Sequence, residues 1–349
     1  MWRRLLLAVG IVVAVVGGWF VWLLNAAGQF RTLAPHFNGT CTAVPGVVGA
    51  EDLTIHPRTG VAYISSCDRL ARAAGRPTNG ALYAYDLDSP SPHPVNLTPD
   101  AGADFCPHGV SLYVGPDGAS TLFVIAHTGE RNTIEVYDVG ETGLAHRATL
   151  SDPLLVTPND LLAVSPTQVY VTNDHRYPAG IMRTIEDYAR RPWANVVMWD
   201  GHGFHEAASG IRLANGINSS ADAKTVYVAE TIGRTIRVYD RDAASGALTF
   251  RHEIALDTAG DNIEVDADGS LWVGAHPQLL TLVGYMSGSK PRAPSQILHV
   301  VPRGDGAEVH EVYLDLGEQI SAASVAAARG KRLVIGAIAD SKFLDCQMR

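Results

Sequence analysis

Several common chemistries lack their raw material in this sequence. It has four cysteines, none in a C-x-x-C pair, so no zinc knuckle or dithiol motif is present. No G-x-S-x-G run occurs, which removes the usual elbow of a serine nucleophile. Lysine and arginine form no basic stripe, and the formal net charge is -9. That balance argues against a nucleic-acid partner. It suits a cation site, but ordinary soluble proteins are often acidic too.

Long apolar runs are also scarce, with one exception. Arg3 and Arg4 precede a stretch without charge over residues 5–24. At about 1.5 Å per residue, a helix of that length spans a hydrocarbon core of about 30 Å. Trp19 and Trp22 lie near its far end, where interfacial aromatics settle. The arginines predict a cytoplasmic start, with the bulk of the chain on the periplasmic or extracellular side. The alternative is a signal peptide, cut among Asn25, Ala26, Ala27 and Gly28 to release a secreted protein. The apolar run is longer than a usual signal core, which favours the anchor. Residues 1–28 therefore read as anchor or signal, and 29–349 as the soluble part.

What the chain has in abundance is a repeat. Six β-prone runs recur at 61–66, 122–127, 169–174, 226–230, 271–276 and 333–337. Their aromatic or apolar markers Tyr63, Phe123, Tyr170, Tyr227, Trp272 and Leu333 are 45 to 61 residues apart. Turn sequences precede several of them, including Pro116-Asp-Gly and Asp266-Ala-Asp-Gly. The latter resembles the start of a calcium loop, but it lacks the later glutamate and reads as a turn. Further strands end in Asp86, Asp138, Asp200 and Asp240. Irregular repeats of this length, with up to four strands each, predict an all-β, six-bladed propeller rather than a sandwich plus a second domain. The last blade runs short of chain. The segment around residues 30–37 is expected to supply its missing outer strand, so that N- and C-terminal strands close the ring. Cys41 and Cys346 lie near the two ends of the soluble part, either bonded across that closure or as unrelated thiols. Residues 178–193 place Ile181, Ile185 and Tyr188 at helical spacing, which predicts a short helix inserted in the third blade. It would cover a blade end or act as a lid over the tunnel.

The polar segments that open each repeat carry the chemistry. They are Glu51-Asp52, His108-Gly109, Asn159-Asp160, Asn215-Gly216, Asp261-Asn262 and the small residues of 321–324. The first strand of a propeller blade lines the central tunnel, so same-phase residues of successive repeats converge at one tunnel end. Taken singly, an Asx-Gly pair is most often a turn. Five recurrences in one phase point a carboxylate, amide or imidazole at a common spot, and the carboxylate and amide oxygens among them suit calcium. The histidines are too sparse for zinc.

The sequence resembles the serum paraoxonase/arylesterase family across nearly all of residues 41–346. The resemblance is carried by Gly49-Ala-Glu-Asp, Ile64-Ser-Ser, Pro107-His-Gly, Asn159-Asp, Thr172-Asn-Asp-His, Ala214-Asn-Gly-Ile-Asn, Asp261-Asn, and Leu271-Trp-Val-Gly followed by His276-Pro. It implies a six-bladed propeller with two Ca2+ ions and a disulfide joining the termini, here Cys41 to Cys346. By position it implies Glu51, Asn159, Asn215, Asp261 and Asn262 as ligands of a catalytic calcium. It likewise implies Asp52, Asp160 and the backbone carbonyl of Val110 as ligands of a structural one. His108 and His127 match the family's histidine pair, and Asp174, His175 and His276 are further candidates at the tunnel end. The implied activity is hydrolysis of lactones and aryl esters, with a metal-polarised carbonyl attacked by water. His108 or Asp261 would activate that water. A gluconolactonase-like or strictosidine-synthase-like enzyme, or a non-catalytic calcium-stabilised binding propeller, are the alternatives. Two departures stand out. Ala275 replaces a family cysteine, and Cys67-Asp68 replaces small and apolar residues near the substrate mouth. Cys67 and Cys106 are either bonded to each other or buried thiols.

Overall fold

The computed structural model describes residues 2–349 apart from 103, 130 and 142. It is a ring of six antiparallel sheets. Blade 1 runs from the innermost strand outward as Ala50–Ile55, Val61–Ser66, Ala81–Asp86 and Val95–Asn96. Blade 2 is Pro107–Val114, Ser120–Thr128, Arg131–Gly140 and Gly143–Leu150. Blade 3 is Pro158–Ser165, Gln168–Asn173, Ala194–Trp199 and Phe204–Ile211. Blade 4 is Ala214–Ser219, Thr225–Glu230, Thr235–Arg241 and Leu248–Ala255. Blade 5 is Ala259–Val265, Leu271–His276, Ser295–Arg303 and Gly306–Asp315. Blade 6 takes Ala323–Arg329, Arg332–Ala337 and Lys342–Met348 from the C-terminal end. The innermost strands touch in the order 1-2-3-4-5-6-1, which closes the ring.

The six expected β-prone runs are the second strands of the six blades. They read as unbroken apolar sequence because both faces are covered. One apolar cluster fills each cleft between neighbouring blades, six in all. A strand buried on two sides cannot alternate polar with apolar residues. Asp266 to Gly269 is a plain turn, closed by Asp266 N–H to Ser270 O at 2.8 Å.

The closing strand differs from the one expected. Gly39–Pro45 pairs with Lys342–Met348 as the outer strand of blade 6, with Cys41 opposite Cys346. His36–Phe37 instead extends blade 5, through His36↔Leu314 and Phe37↔Tyr313. Apolar residues around Phe30 draw the expectation too far upstream. The strand that closes the ring has an exposed face and little apolar signal. Both disulfides form: Cys41–Cys346 across the closure and Cys67–Cys106 between blades 1 and 2.

Among the described residues, four helices decorate the ring. α1, Trp2–Ala26, is long and apolar enough to cross a membrane, with a mean hydropathy of 2.5. α2, Arg69–Ala73, is capped by Asp68, whose Oδ1 accepts from Ala71 N–H at 2.8 Å. α3, Ile181–Tyr188, is the expected insertion in blade 3. Its apolar side faces outward, however: Ile181 is 72% exposed, and Glu186 is the buried residue. α4, Leu279–Met286, lies between the second and third strands of blade 5.

Opening the Cys41–Cys346 bond removes the covalent link across the closure. Cys346→Ser is expected to lower stability by roughly 2–5 kcal/mol. This will appear as a lower thermal midpoint than that of the unreduced wild type.

Candidate active site and metal centre

Each innermost strand breaks register with its neighbour at its polar pair. The shifts fall between Ala50 and Leu53, Pro107 and Val110, and Pro158 and Leu161. They recur between Ala214 and Ile217, Gly260 and Ile263, and Ala323 and Val325. In a regular strand, successive side chains point to opposite faces, so one of each pair would enter an apolar cleft. The bulge re-aims them. The first members, Glu51, His108, Asn159, Asn215 and Asp261, all line one cavity of about 570 Å³ at the tunnel mouth. The second members lie deeper. Asp52 Oδ2 accepts from Val110 N–H at 2.7 Å, and Asp160 Oδ2 from Ile217 N–H at 2.7 Å. In blades 2 and 4 the second member is glycine because the next blade leaves no room. A Cβ on Gly109 would sit 2.6 Å from Asp160 Cα, and one on Gly216 2.6 Å from Asn262 Cα.

Four oxygens in this cluster are buried without a hydrogen-bond donor: Glu51 Oε2, Asn159 Oδ1, Asn215 Oδ1 and Asn262 Oδ1. They come from blades 1, 3, 4 and 5. Asn262 Nδ2 donates to Glu51 Oε1 at 3.0 Å, which turns its own oxygen elsewhere. Buried acceptors without donors are costly and rare. Amide and carboxylate oxygens arranged around one point are the donor set of a hard cation, so the residues fit calcium. Among the described residues there is no group of three or more His, Cys, Asp or Glu placed to hold a metal. The donor set here is instead rich in asparagine and poor in zinc ligands.

The carboxyl groups report the same strain. Burial, then the charges of Asp160 and Glu51, push Asp52 well above the ordinary range. Burial likewise pushes Asp160 well up, and raises Asp261. Glu264 behaves in the same way through burial and the charge of Asp52. No local pattern marks it in the sequence, because it lies outside the polar pairs. From blade 5 it reaches Thr54 of blade 1, across the tunnel, at 3.1 Å and Asn218 of the neighbouring blade 4 at 3.3 Å. Glu51 goes the other way. Burial raises it, but His108 when protonated, the charge of Arg69 and the Asn262 hydrogen bond hold it down at about 2. Arg69, also unanticipated, stands on α2 with its guanidinium 3.8 Å from Glu51 Oε2.

His108 and His127 are joined, Nδ1 to Nε2, at 2.9 Å. His127 Nδ1 lies 2.7 Å from Asn132 Oδ1. Asn132 Nδ2 donates to the carbonyls of Leu155 and Val156, both at 3.0 Å, which fixes the amide's orientation. Asn132 Oδ1 must then accept, so His127 carries its proton on Nδ1. With both rings neutral, His127 Nε2 accepts from His108 Nδ1, and the lone pair of His108 sits on Nε2. That nitrogen is 3.3 Å from Glu51 Oε2, two acceptors face to face at the cavity floor. Burial first, then the charge His108 carries when protonated and that of Arg69, push His127 down to about 4, which keeps it neutral. His276 Nε2 meets Asp261 Oδ2 at 2.7 Å.

His175 has a different task. It is sandwiched between Asp174 Oδ1 at 2.8 Å, an ion-pair contact without good hydrogen-bond angles, and Asp187 Oδ1 at 2.7 Å. Asp187 belongs to α3, so the imidazole ties the inserted helix to the blade. Burial opposes its charge, but the two carboxylates raise it to about 9.

Comparison with known proteins gives a consistent result. A model of the arylesterase family matches residues 38–348. Serum paraoxonase/arylesterase 2 of Gallus gallus is 32% identical over 342 residues, 95% of each chain. Serum paraoxonase/arylesterase 1 of Rattus norvegicus is 34% identical over 333 residues, 90% of each. Among solved structures, a gluconolactonase of Xanthomonas campestris superposes with a TM-score of 0.53 at 16% identity, covering 92% of this chain and 99% of its own. A calcium-binding regucalcin of Agrobacterium tumefaciens gives 0.52 at 14% identity, with 91% and 98% covered. At these identities the structures speak for the propeller fold alone.

Two outcomes follow from the charges. Without metal, the raised carboxyls bind protons in the folded chain that the unfolded chain releases. The stability of chelated protein therefore falls as pH rises above the usual carboxyl range of about 4. A calcium ion held by these groups would displace those protons, and the rise in melting temperature it causes would then grow with pH. Differential scanning fluorimetry in calcium and in EDTA, at about pH 5 and about pH 8, measures both. The His175 clamp contributes in full below about 6.5 and is lost as pH rises through about 9. His175→Gln should therefore speed tryptic cutting after Arg183 at neutral pH, whereas wild type becomes equally sensitive only in alkali.

Proposed function

The chain belongs to the arylesterase family, and from that premise we propose that it hydrolyses lactones and aryl esters with calcium in the tunnel. One observation supports the metal most directly: four blades each contribute a buried donorless oxygen, three of them from Glu51, Asn159 and Asn215 at the cavity floor and the fourth from Asn262 just behind it. Glu51, Asn159, Asn215, Asp261 and Asn262 would hold the catalytic ion. Asp52, Asp160 and the carbonyl of Val110 would hold the structural one beneath it. When bound, calcium supplies positive charge that polarises a substrate carbonyl and stabilises the oxyanion.

The protein's own groups do the rest. His108 Nε2 accepts a proton from a water at the cavity floor. His127 orients that ring by accepting from His108 Nδ1, and Asn132 holds His127 in the matching tautomer. As His108 gains its proton, the carboxylate of Glu51 faces it at 3.3 Å and stabilises the imidazolium. The apolar walls seat the substrate and exclude other water. With two disulfides and an apolar leading helix, the protein reads as membrane-associated or extracellular. We assign residues 1–28 as its anchor and place the propeller outside the cytoplasm.

Purified protein is expected to hydrolyse phenyl acetate and a panel of lactones with calcium present, and to lose that activity in EDTA. His108→Gln should lower kcat by about 10²–10⁴. Asn132→Ala should lower it by about 10–100 with little change in KM, as expected for loss of a positioning contact. Hydrolysis that survives complete chelation would refute the calcium mechanism.

A further inference from the structure

The end of the apolar helix lies in the catalytic cavity. Leu23, Ala26, Ala27 and Gly28 line the same space as Glu51 and His108. Leu23 and Ala27 are buried, whereas α1 up to Val21 is exposed to its surroundings. This last turn is fastened from several sides. Ala27 O accepts from Leu279 N–H at 2.9 Å, at the start of α4. Gly28 passes so close to blade 5 that a Cβ would lie 2.1 Å from Pro277 O, and its φ of +71° suits only glycine without strain. Arg31 Nη1 donates to Asp257 O at 3.1 Å, and Thr281 Oγ1 to Gln29 Oε1 at 3.2 Å. Trp22 lies under the guanidinium of Arg190, 5.4 Å from the ring centroid, which ties α1 to the chain just after α3.

The cavity is thus walled on one side by α1 and on another by Leu280, Val283 and Met286 of α4. Its polar floor belongs to the tunnel. A bound ester that places its carbonyl at that floor must lay its acyl or leaving group along these apolar walls.

We propose that the last turn of α1 is part of the substrate pocket and that Leu23 is a specificity-determining residue. The proposal rests on the hydrolase reading above. The apolar tail of an acyl group packs against Leu23, and each methylene so buried improves kcat/KM about fourfold.

The test uses the full chain in detergent micelles with calcium, comparing kcat/KM for phenyl hexanoate with that for phenyl acetate. Leu23→Trp, which fills the pocket, should lower the hexanoate-to-acetate ratio by about tenfold. Leu23→Ala, which cannot clash, should lower it by about threefold by removing the apolar partner. Val16→Ala, on the exposed part of the same helix, should leave the ratio as in wild type. A purely structural role for Leu23 would depress both esters alike, and an unchanged ratio in both Leu23 variants overturns the proposal. Intact mass of protein isolated from membranes is expected to include residues 2–28, and a chain that starts at or beyond Ala26 also overturns it. An inactive wild type would refute the hydrolase reading and this proposal with it, whereas an active wild type with insensitive variants would refute this proposal alone.

Discussion

Glu51, Asp52, Asp160, Asp261 and Glu264 meet in one tunnel, each from the innermost strand of a blade, and their mutual repulsion is the constraint around which the site is arranged. Taking an ion out of water costs several kcal/mol even after relaxation. The chain meets part of that cost with its own amides: Val110 N–H serves Asp52, and Ile217 N–H serves Asp160. Four oxygens are still left over. Such a tunnel is tolerable where a cation neutralises it, and the six apolar clefts between blades are what hold the like charges together.

The bulge makes this arrangement repeatable. It separates adjacent residues into a mouth layer and a deep layer, and does so in the same place on every blade. One device therefore produces both the cavity floor and the buried layer beneath it. The same device accounts for Gly109 and Gly216, where the neighbouring backbone occupies the space a side chain would need.

Much of this is legible in the sequence. The second strands are buried on both faces, so their apolar runs are strong, and six of them set the blade number. The polar pairs repeat in one phase, so spacing alone gathers Glu51, His108, Asn159, Asn215 and Asp261 into one group. Other parts leave no local trace. Glu264 and Asn132 owe their roles to contacts across the tunnel or to loop carbonyls, and neither lies in a repeated motif. α2 has five residues, too few for a periodic signal. α4 is apolar on nearly every side, so it reads as strand as readily as helix. α3 is recognisable by its apolar spacing, but that spacing marks its outer face, because the buried Glu186 and the Asp187–His175 contact fasten its polar side.

The strand pairing in blade 6 also governs how the protein can be made. Gly39–Pro45 emerges from the ribosome early, directly behind the apolar helix, and its partner in the sheet follows much later, with Cys41 and Cys346 separated by 305 positions. At roughly 5–20 residues per second, that strand waits for tens of seconds. During this interval the five earlier innermost strands can assemble an open arc, but no ring exists. Glu51 lacks its neighbour Ser324, whose hydroxyl later binds the Glu51 carbonyl at 2.6 Å. The tunnel is therefore closed, with Glu51 held against Asn262, only after the last blade docks, so its final geometry is a product of finished synthesis.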